Sequence, residues 1–231
     1  MRLVARGLAA GRLKIIPAGL GNLPVQGPVI LVARHYHHLF DGVALYSVVQ
    51  RPVHILVAIE WARNRFVRRL FEWADGAARW PVVVRPEAIR GNAAPFSELD
   101  VLHYQRTAFK DSIRLLSEGR VLTVFPEGFP TIDPHFTPKK SVDEILPFRH
   151  GFLTICKAAE RKTHKRIPLV PVGLRYEGDH PTTVHISFGT PLFIENRASE
   201  KTMVRKCEEE VLKLSKIGAA SDVSAEVFAS K

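Results

Sequence analysis

Short apolar runs rich in β-branched residues alternate along this chain with segments of helical periodicity, and this alternation limits the possible fold more than any other feature. The runs cover residues 29–33, 54–58, 80–85, 120–125, 167–176 and 183–188. Helices are predicted over residues 42–49, 60–75, 109–118, 151–161 and 200–216, and Asp41 is expected to cap the first of them. Strands that are apolar on both faces need cover on both sides. The sequence therefore predicts an α/β fold with a mixed, mostly parallel sheet covered by helices.

Polar side chains capable of acid–base chemistry follow two of these runs. His35, His37, His38 and Asp41 come after the run at residues 29–33, and Glu127 follows the run at residues 120–125. In open α/β sheets, the carboxyl ends of the strands form the edge where ligands bind. Histidines and carboxylates that converge there are the parts of a general-base site. His-x-His is also a ligand spacing for metals, so a metal-dependent hydrolase is a rival interpretation.

Several blocks of sequence occur in the order found in one known family. The segment Phe125-Pro126-Glu127-Gly128 resembles the glutamate motif of the glycerolipid acyltransferases, the superfamily that acylates glycerol-3-phosphate and 1-acyl-glycerol-3-phosphate. The block from His35 to Asp41 resembles the first motif of that family, a histidine and an aspartate separated by four residues. Further similar blocks lie at residues 22–30, 80–85, 147–152, 167–174 and 188–192. The ordered set covers residues 20–193 and implies a glycerol-3-phosphate acyltransferase-like fold.

This resemblance implies an O-acyltransferase of phospholipid biosynthesis, without a metal or a bound organic cofactor. The donor would be acyl-CoA or acyl carrier protein, and the acceptor a lysophospholipid or a related lipid alcohol. His35 would take the proton of the acceptor hydroxyl while Asp41 orients the imidazole. Glu127 would hold either the acceptor or the loop that carries the first motif. The residues expected to bind acceptor or donor are Arg85, Phe125, Pro126, Glu127, Gly128 and Arg149.

The first motif departs from the family spacing. Position 36, where the histidine would stand, is Tyr36, so His35 lies one residue too far from Asp41 and His37 one residue too near. His35 is favoured because it directly follows the strand and because the run from His35 to His38 resembles the spacing of the glycerol-3-phosphate branch. The extra residue then falls between His38 and Asp41. His38 and His37 remain alternative bases.

The residues after the glutamate motif also depart from the family pattern. In the branch that uses phosphate acceptors, a Thr or Ser and then an Arg follow this motif, whereas this chain has Phe129, Pro130 and Thr131. Arg85 is then the main candidate to bind an acceptor phosphate, with Arg149 or Lys139 as substitute cations. The long loop at residues 126–145 is expected to be functional or mobile.

The chain has 231 residues and a net charge of +10, which fit one domain with an anionic partner. Cations interrupt the apolar residues at 2–16, which predicts an amphipathic helix on a membrane surface within a segment 1–20. The acyltransferase domain is predicted over residues 21–217 and a flexible tail over residues 218–231. With no run long enough to span a bilayer, the expected location is cytoplasmic, peripheral on the inner face of a membrane.

Two further features bear on partners. The two cysteines, Cys156 and Cys207, lie in different predicted helices without a metal-binding spacing, which indicates a reduced compartment. The predicted helix at 60–75 mixes arginines with aromatic residues, as nucleic-acid surfaces do. Its aromatic residues recur at helical spacing and no nucleic-acid motif accompanies them, so no nucleic-acid partner is expected. The alternative function is a basic membrane- or nucleic-acid-binding module with a degenerate acyltransferase site.

Overall fold

A six-stranded sheet forms the centre of the protein, with the strand order β1-β8-β7-β2-β6-β3. The computed structural model describes residues 7, 9, 11–58, 80–85, 87, 96–133, 136–178, 182–195 and 199–216. Neighbouring strands run parallel except β7 and β8, which are antiparallel. The strands are β1 (Leu13–Ala18), β2 (Val29–Ala33), β3 (Val53–Ile55), β4 (Val57–Ala58), β5 (Val82–Val83), β6 (Val121–Val124), β7 (Leu169–Glu177) and β8 (Thr182–Phe188). Strands β4 and β5 form a separate two-stranded sheet.

Helices cover the six-stranded sheet and enclose two apolar clusters. They are α1 (Phe40–Val48), α2 (Glu98–Ser117), α3 (Gly151–Thr163) and α4 (Glu200–Leu214), and a 3-10 turn covers Leu20–Asn22. One cluster contains side chains of α1 and the other contains side chains of α3 and α4. Strand β2 lies between them, with Leu31 in the first cluster and Ile30 in the second. The predicted α/β fold, a mostly parallel sheet covered by helices, is confirmed.

The N-terminal segment differs from its prediction. Residues Leu13–Ala18 form strand β1, which pairs in parallel with β8, so the predicted amphipathic helix is wrong at residues 13–16. Gly7 and Ala9 are helical, and residues 1–6, 8 and 10 lie outside the described part of the chain. Gly11 has a φ of 73°, a conformation that ends a helix readily. The apolar spacing at 13–16 instead places side chains on the two faces of an edge strand.

Two other elements have different bounds from those predicted. The run at residues 54–58 is divided at Leu56, whose N–H donates to Thr123 in the main sheet, whereas Val57 donates to Pro81 beside β5. Helix α2 begins at Glu98 rather than at residue 109, because Ser97 and Asp100 form a capping box there. The predicted helix at 60–75 and the predicted tail at 218–231 lie outside the described residues.

The register of β2 and β6 brings the two polar blocks together. These strands are adjacent and parallel, with Val32 opposite Val124. The residues after β2 and the residues after β6 therefore leave the sheet side by side at its carboxyl edge. Within the described residues, no helix is long and apolar enough to cross a bilayer.

Candidate active site

A histidine–aspartate pair lies at the carboxyl edge of β2. Nδ1 of His35 is 2.9 Å from Oδ2 of Asp41, and the side chains are 17% and 1% exposed. A carboxylate only accepts hydrogen bonds, so Nδ1 carries the proton and Nε2 is the free basic nitrogen. Among the described residues, none forms a hydrogen bond with Nε2 of His35. The pair has the arrangement of a general base with its orienting carboxylate.

Asp41 organises the whole loop that precedes it. Its carboxylate accepts the N–H of Tyr36 at 2.7 Å and the N–H of His37 at 3.1 Å. The hydroxyl of Tyr176 on β7 donates to Oδ1 at 2.7 Å. Asp41 lies in the first turn of α1 and its side chain faces back toward the loop, so the prediction that it caps a helix starting at residue 42 is wrong. The loop folds around this carboxylate, which accommodates the extra residue between His35 and Asp41.

The imidazole of His35 is also held by an aromatic ring of the glutamate motif. Its ring stacks on Phe125, with centroids 4.3 Å apart and planes inclined by 18°. Phe125 directly follows β6, so this contact joins the ends of the two central strands. The stack and the bond to Asp41 together define the plane and direction of the His35 ring.

Glu127 holds the loop that carries His35. Its Oε1 accepts the main-chain N–H of His35 at 2.7 Å, and its Oε2 accepts the N–H of Leu146 at 3.0 Å. Oε2 also lies 2.6 Å from Nζ of Lys139, and these side chains are 0% and 1% exposed. Of the two roles left open for Glu127, these contacts favour holding the first-motif loop. Lys139 is buried in this ion pair, so its predicted role as a cation for the acceptor phosphate is wrong.

The other two histidines have different surroundings. Nδ1 of His37 accepts the N–H groups of Leu39 at 3.2 Å and of Phe40 at 3.3 Å, which satisfies donors at the start of α1. His38 is exposed, and its Nδ1 lies 3.4 Å from the carbonyl oxygen of Ile132. In the described part of the chain, the ring of neither His37 nor His38 forms a hydrogen bond with Asp41.

Part of the long loop after the glutamate motif runs beside the first-motif loop. Thr131 donates its N–H to the carbonyl of His35 at 3.1 Å, and Ile132 donates to that of Tyr36 at 2.7 Å. The N–H of His38 donates in turn to the carbonyl of Ile132 at 3.2 Å. The two loops are therefore joined by a short ladder of main-chain hydrogen bonds.

The remaining predicted binding residues lie together around Phe129. The guanidinium of Arg85 is 3.9 Å from the ring centroid of Phe129, and its Nη1 donates to the carbonyl of Gly128 at 2.6 Å. The N–H of Arg149 donates to the carbonyl of Pro126 at 3.0 Å. Gly128 has a φ of 77°, and a Cβ there would lie 3.3 Å from Nε of Arg149.

Charge in this cluster is partly neutralised. Nη2 of Arg149 lies 2.8 Å from Oε1 of Glu87.

Three long-range contacts of the site were not predicted from the sequence: Glu87 with Arg149, Lys139 with Glu127, and Tyr176 with Asp41. For Tyr176, burial and the neighbouring Asp41 carboxylate raise the pKa well above its usual value, so its hydroxyl stays a donor. In the described part of the chain, no group of three or more His, Cys, Asp or Glu side chains is arranged to hold a metal ion.

Comparison with known proteins identifies the family of this chain. A family model described as Acyltransferase matches residues 14–175, which include both polar blocks and strands β2 to β6. The chain belongs to this acyltransferase family. No curated protein sequence gives a significant match.

The fold of this acyltransferase is similar to that of a solved structure. The 1-acyl-sn-glycerophosphate acyltransferase PlsC from Thermotoga maritima superimposes with a TM-score of 0.60 and 18% sequence identity. The alignment covers 100% of this chain and 78% of that protein. At this identity the likeness extends to the fold, and it agrees with the sheet and helices described above.

The contacts of His37 predict a dependence of stability on pH. Burial, followed by repulsion from His38, lowers the pKa of His37, and its Nδ1 accepts two main-chain hydrogen bonds only while unprotonated. Because the pKa is lower in the folded state, folding excludes protons there. This contribution to stability is present above the unfolded-state pKa of about 6.5 and is lost as the pH falls through the folded-state value.

We expect His37→Asn to reduce the loss of melting temperature between pH 7 and pH 5, because an amide oxygen accepts the same bonds without titrating. His164→Asn is the control, since His164 ends α3 in a left-handed conformation that asparagine also adopts. Thermal unfolding across this pH range measures the effect. Parallel curves for wild type and His37→Asn would contradict the assignment.

Proposed function

We propose that this acyltransferase moves a fatty acyl group from a thioester donor, acyl-CoA or acyl carrier protein, to a hydroxyl of a lysophospholipid or a related lipid alcohol. One observation carries the proposal. His35 is oriented by Asp41 at 2.9 Å in a chain of the acyltransferase family, and its Nε2 has no partner among the described residues. A base in this state is ready to accept a proton from an incoming alcohol.

The proposed reaction proceeds in one transfer without an acyl-enzyme. The acceptor oxygen attacks the thioester carbonyl carbon while its proton moves to Nε2 of His35. The carbon–sulfur bond then breaks, and the leaving thiolate takes that proton from the imidazolium. Asp41 stabilises the imidazolium that exists between these steps. A positioned base of this kind typically contributes about 10²- to 10⁴-fold in rate.

We expect His35→Ala to lower kcat for acyl transfer by about 10²-fold or more, since the proton acceptor is lost. His37→Ala and His38→Ala are the matched controls and should keep at least about a tenth of the wild-type rate, because neither ring is bonded to Asp41. The measurement is acyl-CoA consumption with lysophosphatidate and a panel of lipid alcohols, with mass spectrometry of the products.

Two results would contradict this assignment. An active His35→Ala variant beside an inactive His38→Ala variant would move the base to His38. Absence of turnover by the wild-type protein with every donor and acceptor would favour the rival function, a basic binding module with a degenerate site.

A lipid acceptor is supported by apolar side chains around the site. Leu39, Ile132, Phe136 and Val142 are 47%, 44%, 64% and 55% exposed, although each is large and apolar. They lie on the first-motif loop and on the long loop beside it, and the Phe136 ring packs edge-on against Phe129. With the net charge of +10, this rim supports peripheral contact with an anionic membrane.

We expect Phe136→Asp to weaken binding to anionic phospholipid vesicles by about tenfold or more, since burying a Phe side chain contributes roughly 1.5 to 3 kcal/mol. Phe193→Asp is the matched control: Phe193 is 43% exposed but lies beside Leu192, which pairs with the start of β7 at the opposite edge of the sheet. Vesicle sedimentation measures the binding. Equal losses in the two variants would contradict the role of the rim.

The proposed phosphate contact is Arg85. Its guanidinium lies over the Phe129 ring, and its Nη1 donates to the carbonyl of Gly128 in the glutamate motif. A planar guanidinium in this position suits a phosphate monoester, because it is able to donate two parallel hydrogen bonds to phosphate oxygens.

For Arg85→Ala we expect kcat/KM on lysophosphatidate to fall by about 10- to 150-fold, the effect of losing a charge-assisted hydrogen bond. On a lipid alcohol without phosphate, the change should stay within about threefold. Arg166→Ala is the control, because Arg166 also faces a ring, Phe193 at 5.5 Å, and donates to a carbonyl at 2.6 Å, but precedes β7 at the opposite edge. An equal loss on both acceptors would show that Arg85 supports the fold rather than the phosphate.

A further inference from the structure

Both main-chain polar groups of His35 are held by the two partners of one buried ion pair. Its N–H donates to Oε1 of Glu127 at 2.7 Å, and its carbonyl accepts from Nζ of Lys139 at 2.8 Å. Lys139 and Glu127 are themselves 2.6 Å apart. The residue with the free basic nitrogen is therefore fixed on its main chain by a pair of opposite charges.

The ion pair is fully satisfied where it lies. Nζ of Lys139 also donates to Oγ1 of Thr131 at 3.1 Å, and Oε2 of Glu127 accepts the N–H of Leu146 at 3.0 Å. Burial lowers the pKa of Lys139, while the charge of Glu127 acts to raise it. Buried ion pairs frequently add little net stability, because desolvation offsets their attraction. The role of this pair is therefore better explained by the geometry that it imposes on its neighbours than by a contribution to stability.

Lys139 comes from a different part of the chain than the other groups that hold His35. Asp41 and Phe125 hold the imidazole, and Glu127 belongs to the glutamate motif, whereas Lys139 lies within the long loop. Thr131 of the same loop also donates its N–H to the carbonyl of His35 at 3.1 Å. The His35 carbonyl oxygen thus takes part both in attaching the long loop and in orienting His35.

We propose that Lys139 is a positioning residue for His35, which, with Glu127, fixes the histidine main chain and aims Nε2 at the acceptor hydroxyl while tying the long loop to the site. This inference rests on the proposed acyl transfer and adds to it a residue that contacts no substrate. Displacing a reacting group by about 1 Å can cost about 10²-fold in rate, so a main-chain clamp has a large effect on kcat. Substrate binding depends on other side chains, so we expect KM to stay nearly unchanged when kcat falls.

The test compares Lys139→Met, Lys139→Arg and the control Lys157→Met in steady-state acyl transfer. Lys157 also pairs with a glutamate, Glu200 at 2.7 Å, but this pair is partly exposed, with side chains 37% and 48% accessible. Lys139→Met should lower kcat by about 10²-fold and leave both KM values within about threefold. Lys139→Arg keeps the charge and the donors, so its kcat should be at least about tenfold higher than that of Lys139→Met. Lys157→Met should match wild type.

A second readout does not depend on activity. Hydrogen exchange of the His35 amide reports its bond to Glu127. In Lys139→Met this amide should exchange faster, while amides in the middle of α3 keep their protection. Thr131→Val removes one partner of Nζ without leaving Glu127 unpaired, so it serves if Lys139→Met does not fold. It should lower kcat by about three- to tenfold, less than Lys139→Met, because Nζ keeps its bonds to Glu127 and to the His35 carbonyl.

The outcomes separate this inference from the proposed function. If wild type turns over acyl-CoA but Lys139→Met or Thr131→Val has a lower melting temperature with unchanged kcat and unchanged exchange at His35, Lys139 is only structural and the inference is overturned. If wild type has no turnover, the proposed function fails, and the exchange measurement still decides whether Lys139 holds His35.

Discussion

The buried carboxylate of Asp41 is the interaction on which the rest of the site depends. It accepts hydrogen bonds from the His35 ring, from two main-chain N–H groups of the loop and from the Tyr176 hydroxyl. A carboxylate that is 1% exposed is stable in the folded protein because charge-assisted hydrogen bonds replace its hydration. The same bonds fold the loop into the shape that brings His35 to Asp41. Loop conformation and histidine orientation therefore have one physical cause.

The parallel pairing of β2 with β6 determines which groups surround that carboxylate. It places Phe125 against the His35 ring and Glu127 against the His35 main chain. Strand β7, the other neighbour of β2, supplies Tyr176. The two strands that flank β2 thus provide three contacts to a single short loop, two from the end of β6 and one from β7. This is the rigid support that a base requires if its basic nitrogen is to meet an acceptor in one fixed direction.

Local sequence patterns predicted those strands and helices whose own residues show an apolar run or a helical periodicity. The β-branched run at 29–33 defines β2, and its polar continuation placed His35 and Asp41 together despite the irregular spacing. Contacts between distant residues could not be predicted in this way. Tyr176 is 135 residues from Asp41, and Lys139 was a candidate to bind an acceptor phosphate although it is buried against Glu127, 12 residues away. Strand β1 resembled an amphipathic helix because its partner β8 lies far along the chain.

The central claim is that neutral His35 carries its proton on Nδ1 and keeps Nε2 free as the base. Nitrogen-15 NMR of histidine-labelled protein at neutral pH tests this directly, with the His35 signals assigned through a His35→Gln variant. The account predicts a protonated Nδ1 bonded to Asp41 and an unprotonated Nε2. A His35 ring whose Nε2 carries the proton at neutral pH would contradict the account, because that nitrogen could then not accept the proton of an acceptor hydroxyl.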